Sequence, residues 1–344
     1  MTQANPLNLR GIEFTEFCGP SAEHLEKLFW AFGFSKLRQH PSKAISYFRQ
    51  NDIHFLINSE RQGNSAEFAK KHGPSICSMG WRVDNAAFAL TEAVKRGARA
   101  VADADKDHAY PAVYGIGDSL IYFIEPSSSG TSIYERDFQA LASPLIQPEK
   151  GFLTVDHLTN NVPFGEQEKW ADFYKGIFGF TEVRYFDIQG AKTGLTSYAL
   201  RSPEGSFCIP INQPKNEQDQ IAEYLRDYNG PGVQHLAFLT KDILHSLDQL
   251  EGSEIETLDI DDEYYQDVFQ RVPHVRQDHS RIAQHQVLVD GDDDGYLLQI
   301  FTKNIIGPIF IEIIQRENNL SFGEGNFGAL FRSIEKDQER RGVI

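Results

Sequence analysis

Val155-Asp-His-Leu-Thr-Asn-Asn161, followed by Glu168-Lys-Trp-Ala-Asp-Phe-Tyr-Lys-Gly-Ile-Phe-Gly-Phe180, decides the fold, because the chain writes this passage twice. The earlier copy reads Gly11-Ile-Glu-Phe-Thr-Glu-Phe17, then His24-Leu-Glu-Lys-Leu-Phe-Trp-Ala-Phe-Gly-Phe34. In both, a short strand leads into an amphipathic helix that stops at Phe-Gly-Phe, with glycine where a helix C-terminus favours it. Ala44-Ile-Ser-Tyr-Phe-Arg49 and His54-Phe-Leu-Ile-Asn58 then read as two strands joined by a turn. Gly194-Leu-Thr-Ser-Tyr-Ala-Leu200 and Phe207-Cys-Ile-Pro-Ile-Asn212 read the same way across Ser202-Pro-Glu-Gly205. A further strand and helix follow in each half, over Met79–Arg96 and Val233–Leu250, and each half closes on a strand, Leu120–Ile124 and Ile309–Ile314.

A strand–helix–strands unit therefore recurs about four times, two per half, at a period far longer than a solenoid's; this is duplication within one α+β architecture. Ser143-Pro-Leu-Ile-Gln-Pro148 reads as the link, which divides the chain into domains 1–142 and 143–344. Residues 214–220 and 251–284 read as polar, sheet-poor insertions. From about residue 326, Phe327, Leu330, Phe331 and Ile334 recur at helical spacing, so a terminal helix should lay that stripe on the body.

The totals narrow the function. The chain has 344 residues, enough for two domains, and a net charge of -16, the wrong sign for a nucleic-acid surface. Twenty-five Phe against two Met make a rigid aromatic core. The three cysteines, Cys18, Cys77 and Cys208, are far apart and form no CxxC, which fits a reducing compartment. No stretch approaches the ~18 apolar residues of a membrane span, and the first residues show no signal-peptide core, so a cytoplasmic protein is expected.

Three strands of the second half each carry one potential metal ligand: His157, His235 in Val233-Gln-His-Leu236, and Glu312 in Ile309-Phe-Ile-Glu-Ile-Ile314. Val155, His157 and Thr159 share one face of their strand, as do Phe310, Glu312 and Ile314 of theirs. A carboxylate buried in so apolar a strand needs a cation or hydrogen-bonding partner. Two imidazoles and a carboxylate occupy one face of an octahedron and leave three positions open, the set associated with Fe(II) and O2 chemistry. Zinc hydrolysis uses the same ligand types and stays open at this point. Aligning the repeats sets Glu13 opposite His157, Ser78 opposite His235 and Tyr122 opposite Glu312, so one metal per chain is expected, in the second half only. His274, His279 and His285 fall in or beside the polar insertion and read as surface residues, and Asp292-Asp-Asp-Gly295 reads as a hairpin turn.

These segments, with Leu297-Leu-Gln-Ile-Phe-Thr302, Phe310-Ile-Glu-Ile-Ile-Gln-Arg316 and Phe322-Gly-Glu-Gly-Asn-Phe327, resemble the 4-hydroxyphenylpyruvate dioxygenase family, bacterial branch, of the vicinal-oxygen-chelate superfamily. The resemblance spans nearly the whole chain and is dense over 150–335. It implies duplicated βαβββ modules forming two open barrels, with one Fe(II) on His157, His235 and Glu312 of the C-terminal barrel. It implies conversion of 4-hydroxyphenylpyruvate, an α-keto acid, and O2 to homogentisate and CO2 in tyrosine and phenylalanine catabolism. It also implies a homo-oligomer, dimer or tetramer. By the same resemblance Gln220, Gln234, Gln299 and Asn326 form the catalytic polar set. Ser197, Asn212, Phe301, Phe310, Phe322 and Phe327 line the substrate pocket, and the terminal helix gates it. Strict alternation turns Gln234 away from the face of His235, which suggests a bulge or a supporting role. Asn326 also reads as a helix N-cap and Phe327 as core packing. Hydroxymandelate synthase, with the same fold and substrate, is the nearest rival; a metal-free binding protein of the superfamily is the rival from another class.

Overall fold

A computed structural model describes residues 5–190 and 192–343. The first half runs β1 (Leu9–Cys18), α1 (Ala22–Ala31), β2 (Ser35–Gln39), β3 (Ile45–Gln50), β4 (Ile53–Asn58), α2 (Asn64–His72), β5 (Ser75–Val83), α3 (Ala86–Lys95), β6 (Ala112–Tyr114), β7 (Leu120–Ile124), α4 (Ile133–Asp137) and β8 (Gln139–Leu145). The second runs β9 (Phe152–Asn161), α5 (Gln167–Phe173), β10 (Thr181–Gln189), β11 (Gly194–Arg201), β12 (Cys208–Pro214), α6 (Gln220–Asp227), β13 (Gly232–Thr240), α7 (Ile243–Leu250), α8 (Tyr264–Arg271), α9 (His279–Gln284), β14 (Leu288–Gly291), β15 (Tyr296–Phe301), β16 (Phe310–Glu317) and α10 (Phe327–Arg340).

Each half builds one eight-stranded sheet. The second has the order β10-β11-β12-β9-β13-β16-β15-β14, two βαβββ modules joined through the antiparallel pair β9 and β13. Parallel pairing of β9 with β12 and of β13 with β16 closes each module. The first sheet repeats this plan, β2-β3-β4-β1-β5-β7-β6, with one substitution. Its second module holds only an isolated bridge, Ala100 to Val113, beyond β6. Its eighth strand, β8, comes from the stretch linking the halves and pairs with β2. Ser143 and Pro144 thus sit in an edge strand, where proline's missing donor is tolerated.

The core is continuous between the halves. Phe32 and Phe34 meet Phe238 with ring centroids 5.7 and 5.9 Å apart, and Phe32 meets Phe152 at 6.1 Å. On the other side of the core Trp81 packs edge-on against Phe178 and Phe207. Such aromatic pairs contribute about 0.5–1.5 kcal/mol each beyond the area they bury. Backbone bonds stitch the same seam: Asp52 donates its N–H to the Leu153 carbonyl at 3.0 Å. The Gln50 side-chain oxygen accepts from the Lys150 N–H at 2.7 Å.

The register corrects one position of the internal alignment. Gly80 of β5 lies opposite Phe14 on β1 and opposite Tyr122 on β7, as Ala237 of β13 lies opposite His157 and Glu312. Phe14, rather than Glu13, therefore stands where His157 stands in the second half. A bulge between Ile12 and Phe14 shifts the count by one residue. Glu13 accepts from Arg82 instead, at 2.6 Å. Ser78 and Tyr122 occupy the positions of His235 and Glu312, as the alignment expects.

Candidate metal centre

His157, His235 and Glu312 come from three adjacent strands, β9, β13 and β16, in the middle of the second sheet. His157 Nε2 lies 3.0 Å and His235 Nε2 3.5 Å from Glu312 Oε2. All three side chains are buried, and their ligand atoms lie within 4.8 Å of one another. A single cation with bonds of about 2.1 Å could touch donors so spaced. The residue between His157 and Glu312 across the sheet is Ala237, so no larger side chain competes for that space.

Each imidazole is turned by a neighbour in sequence. His157 donates from Nδ1 to Asp156 at 2.8 Å, and His235 donates from Nδ1 to the Gln234 side-chain oxygen at 3.1 Å. A carboxylate and an amide oxygen only accept here, so both rings carry the proton on Nδ1 and aim Nε2 inward. Gln234 reaches this position because β13 is irregular between Val233 and His235, which lets it stand beside its neighbour's ring. Thr159 Oγ1 lies 3.0 Å from His235 Nε2.

The electrostatics fit a cation. Burial penalises the charge on Glu312, but the two histidines outweigh it and hold the carboxyl below its usual range. Burial likewise works against a charged His157, but Glu312 and Asp156 raise it above the ordinary imidazole value. His235 is pushed down by burial. Without a metal, His157 thus supplies the positive charge that Glu312 needs. A divalent ion supplies it better and releases that proton.

The triad opens onto a cavity of about 670 Å³, counted with its mouth. Ser197 and Asn212 sit on β11 and β12, Gln220 opens α6, and Gln234, Gln299 and Phe301 lie on β13 and β15; all six line the cavity. Phe310, Phe322 and Phe327 line it as well. Phe310 stacks on His235 with centroids 4.7 Å apart, and Phe322 meets the edge of His157 at 5.8 Å. Gln299 keeps its amide nitrogen unpaired although fully buried. Asn326 is placed differently. It is fully buried outside the cavity lining, and its side-chain oxygen accepts from Tyr264 at 2.6 Å and Arg271 at 3.3 Å. It stands at the N-cap position of α10, and its side chain makes no capping bond.

The cavity also contains residues that the reading of the sequence did not single out as site residues: Phe186, Ile188, Leu195, Leu330 and Phe331. Leu330 and Phe331 belong to the apolar stripe of α10, so the face expected to pack on the body is the face that roofs the cavity. Thr159 was placed on the face of His157 by alternation alone. Asp156 and Arg316 stood inside the quoted motifs, but nothing local marks a buried ion pair between residues 160 positions apart. The other group of possible ligands among the described residues, Asp248, Glu251 and His285, is exposed or half-exposed, and Asp248 is already engaged by Arg281 and His285.

Residues 3–139 match the family described as hydroxyphenylpyruvate dioxygenase, N-terminal, and residues 154–300 match the glyoxalase/bleomycin resistance protein/dioxygenase superfamily. The 4-hydroxyphenylpyruvate dioxygenase of Pseudomonas aeruginosa is 43% identical over 354 aligned positions, covering 99% of this chain and 98% of that one. The chain belongs to the 4-hydroxyphenylpyruvate dioxygenase family. Protein MelA of Shewanella colwelliana is 63% identical over 344 residues, covering 100% of this chain and 99% of that protein. A solved triple mutant of 4-hydroxymandelate synthase from Streptomyces coelicolor superposes with a TM-score of 0.82 at 24% identity, over 95% of this chain and 99% of that one. At that identity the likeness speaks for the fold, a two-barrel vicinal-oxygen-chelate architecture. Both family matches fall on the duplicated halves, and the donor triad lies in the second. No helix among the described residues is long and apolar enough to cross a membrane.

Proposed function

We propose that this member of the family converts 4-hydroxyphenylpyruvate and O2 to homogentisate and CO2, using one Fe(II) held by His157, His235 and Glu312. The observation that carries this reading is the buried two-histidine, one-carboxylate triad at the floor of an aromatic cavity in a chain of this family. Two histidines and a carboxylate are a donor set that would hold Fe(II) and leave it accessible to an α-keto acid and O2. Bound there, the iron supplies the O2 activation that couples oxidative decarboxylation to ring hydroxylation. One oxygen atom enters the new carboxylate and the other the ring, whose side chain migrates to the adjacent carbon.

The chain's own residues orient and enclose. Asp156 and Gln234 hold the two imidazoles in the tautomer that presents Nε2. Phe301, Phe322 and Phe327 wall the aromatic ring. Ser197, Asn212, Gln220 and Gln299 offer polar atoms to the substrate's phenol and keto-acid ends. The unpaired amide of Gln299 is a donor awaiting such an acceptor, because an orphaned buried donor costs about 1–3 kcal/mol. Asn326 acts from behind the cavity, fixing the start of α10. Closing this helix over the cavity excludes water. Domain 1–142 carries no metal and serves as the scaffold of catalytic domain 143–344, and the chain works as a cytoplasmic homo-oligomer.

The experiment is aerobic incubation of Fe(II)-loaded protein with 4-hydroxyphenylpyruvate, following O2 uptake and product. Homogentisate in one-to-one ratio with O2 is expected. 4-Hydroxymandelate as the product would move the chain to the benzylic hydroxylation of its structural relative. No O2 uptake by protein shown to hold iron would sink both.

A further inference from the structure

Arg316, at the end of β16, is a buried guanidinium with two unlike sets of partners. On one side it grips Asp156 with two bonds, Nε to Oδ1 and NH2 to Oδ2, each 2.8 Å. The same Oδ2 accepts from His157 Nδ1 at 2.8 Å. On the other side NH1 donates to two backbone carbonyls, Asn319 at 3.2 Å and Ser321 at 2.6 Å. The turn they belong to is tightened from within, since the Asn319 side chain accepts from the Ser321 N–H and hydroxyl at 2.9 and 2.6 Å. The next residue is Phe322, whose ring lies 5.9 Å from the guanidinium and 5.8 Å from the His157 ring. After it comes Gly323, with a φ of +77°, from which the chain enters α10. Arg316 and Asp156 are only 12% and 13% exposed, so the pair is shielded from competing solvent.

We propose that Arg316 is a positioning residue that ties the metal-binding imidazole of His157 to the Phe322 wall and the root of the α10 roof. One planar fork holds both the carboxylate that orients the imidazole and the turn that presents the ring. A lysine offers one point charge and cannot fill this double role. Metal binding and the aromatic wall are therefore mechanically linked through a single side chain. This rests on the triad being the metal site, and its first readout, metal affinity, is independent of which substrate is turned over.

The test compares Arg316→Gln, Arg316→Lys and Asp156→Asn with the unaltered full chain. Fe(II) and Co(II) dissociation constants, the visible spectrum of the Co(II) form, and kcat and KM for 4-hydroxyphenylpyruvate at saturating Fe(II) are measured. Loss of a group that orients a ligand histidine lowers metal affinity by about 10–100-fold. Asp156→Asn should weaken metal binding to that extent and shift the Co(II) spectrum, while KM at metal saturation stays within about 3-fold. Arg316→Gln should do both: weaken metal binding and raise KM about 10-fold or more, because the Phe322 turn is released. Arg316→Lys keeps a charge beside Asp156 and should restore most of the metal affinity while leaving KM raised. It also keeps the test alive if the Gln variant fails to fold. Unchanged metal affinity and spectrum in folded Arg316 variants would overturn the proposal. So would a KM that follows metal affinity alone in all three. If metal binds at this triad with the expected pattern but no turnover occurs, it is the proposed substrate that fails.

Discussion

Phe14 lies so close over Gly80 that a β-carbon on the glycine would sit 2.4 Å from the ring. These two residues occupy the places that His157 and Ala237 hold in the second half. A phenyl ring therefore stands in the first half where the imidazole of His157 stands in the second. Glycine at position 80 makes room for that ring. Gly80→Ala should destabilise the chain by about 1–3 kcal/mol through overpacking. The expected result is a lower denaturant midpoint with an unchanged Fe(II) dissociation constant. A variant as stable as the parent would show that Phe14 moves aside freely.

Ala237 makes the converse case. It lies across the sheet from both His157 and Glu312, so a larger side chain there points into the space between the donors. Ala237→Leu should cost at least about 10-fold in Fe(II) affinity through steric displacement of the ligands, with a fold-level penalty of about 1–3 kcal/mol. Metal titration against a thermal melt separates the two effects. Retention of full metal affinity would mean that the ion sits away from this face.

Removing a ligand should be more severe. Glu312→Gln loses the anionic donor and leaves His157 with Asp156 as its carboxylate partner. Stoichiometric Fe(II) binding should disappear and turnover should fall by more than about 100-fold, as measured by metal analysis and O2 uptake on the same sample. Substantial turnover by the metal-depleted variant would contradict the assignment.

The first half contains a polar centre with its own pH signature. Glu16 accepts from His108 at 2.8 Å and from Asn58 at 3.0 Å, and Ser78 donates to it as well. Burial opposes its charge, but His108 and these donors hold the carboxyl below its usual range. A depressed folded-state carboxyl stabilises the fold above the unfolded value, roughly 4.3, and that contribution is lost as pH falls below it. In His108→Gln the leading partner is gone and burial dominates, so the sign reverses. That variant should be several kcal/mol less stable near pH 7, on the order of a broken buried pair, and should recover part of the loss toward pH 5. Denaturant melts at the two pH values decide it; equal losses at both would show that Glu16 stays charged without the histidine.

Tyr264, in the insertion, carries a hydroxyl that donates to Asn326 and accepts from the Val289 N–H at 2.7 Å. Tyr264→Phe removes both bonds and should cost about 1–2 kcal/mol at the base of α10. Faster amide exchange over residues 323–334, with the β9 and β13 amides unchanged, is the expected readout. Uniform exchange across the chain would mean that the roof is anchored elsewhere.

What the sequence showed and hid follows from the range of each interaction. Strand–helix order and the Phe-Gly-Phe stops are local patterns repeated, and each triad residue sits in a short apolar strand, so they could be read along the chain. The faces of His157 and Thr159 followed from two-residue alternation. That rule left Gln234 unsettled and the repeat alignment misplaced Glu13, because both lie where a bulge breaks the register. The link at 143–148 reads as punctuation, yet β8 forms there because β2 offers a free edge, a fact of the assembled sheet. Likewise the insertion reads as polar and sheet-poor, while its Tyr264 reaches across 62 positions to Asn326. Pairings of that kind appear only once the sheets have brought distant segments together.

The seam of Phe32, Phe34, Phe152 and Phe238 has a thermodynamic corollary. β9 and β13, which carry His157 and His235 of the candidate metal centre, also carry Phe152 and Phe238 into the shared interior. The largest core cluster spans both halves, beside smaller clusters confined to each, so the first half shares in the binding energy of an ion held by the second. At a free metal concentration 100 times the dissociation constant, about 2.7 kcal/mol is delivered to the whole chain. Adding the ion should therefore move one cooperative calorimetric transition upward as a unit rather than split the endotherm in two.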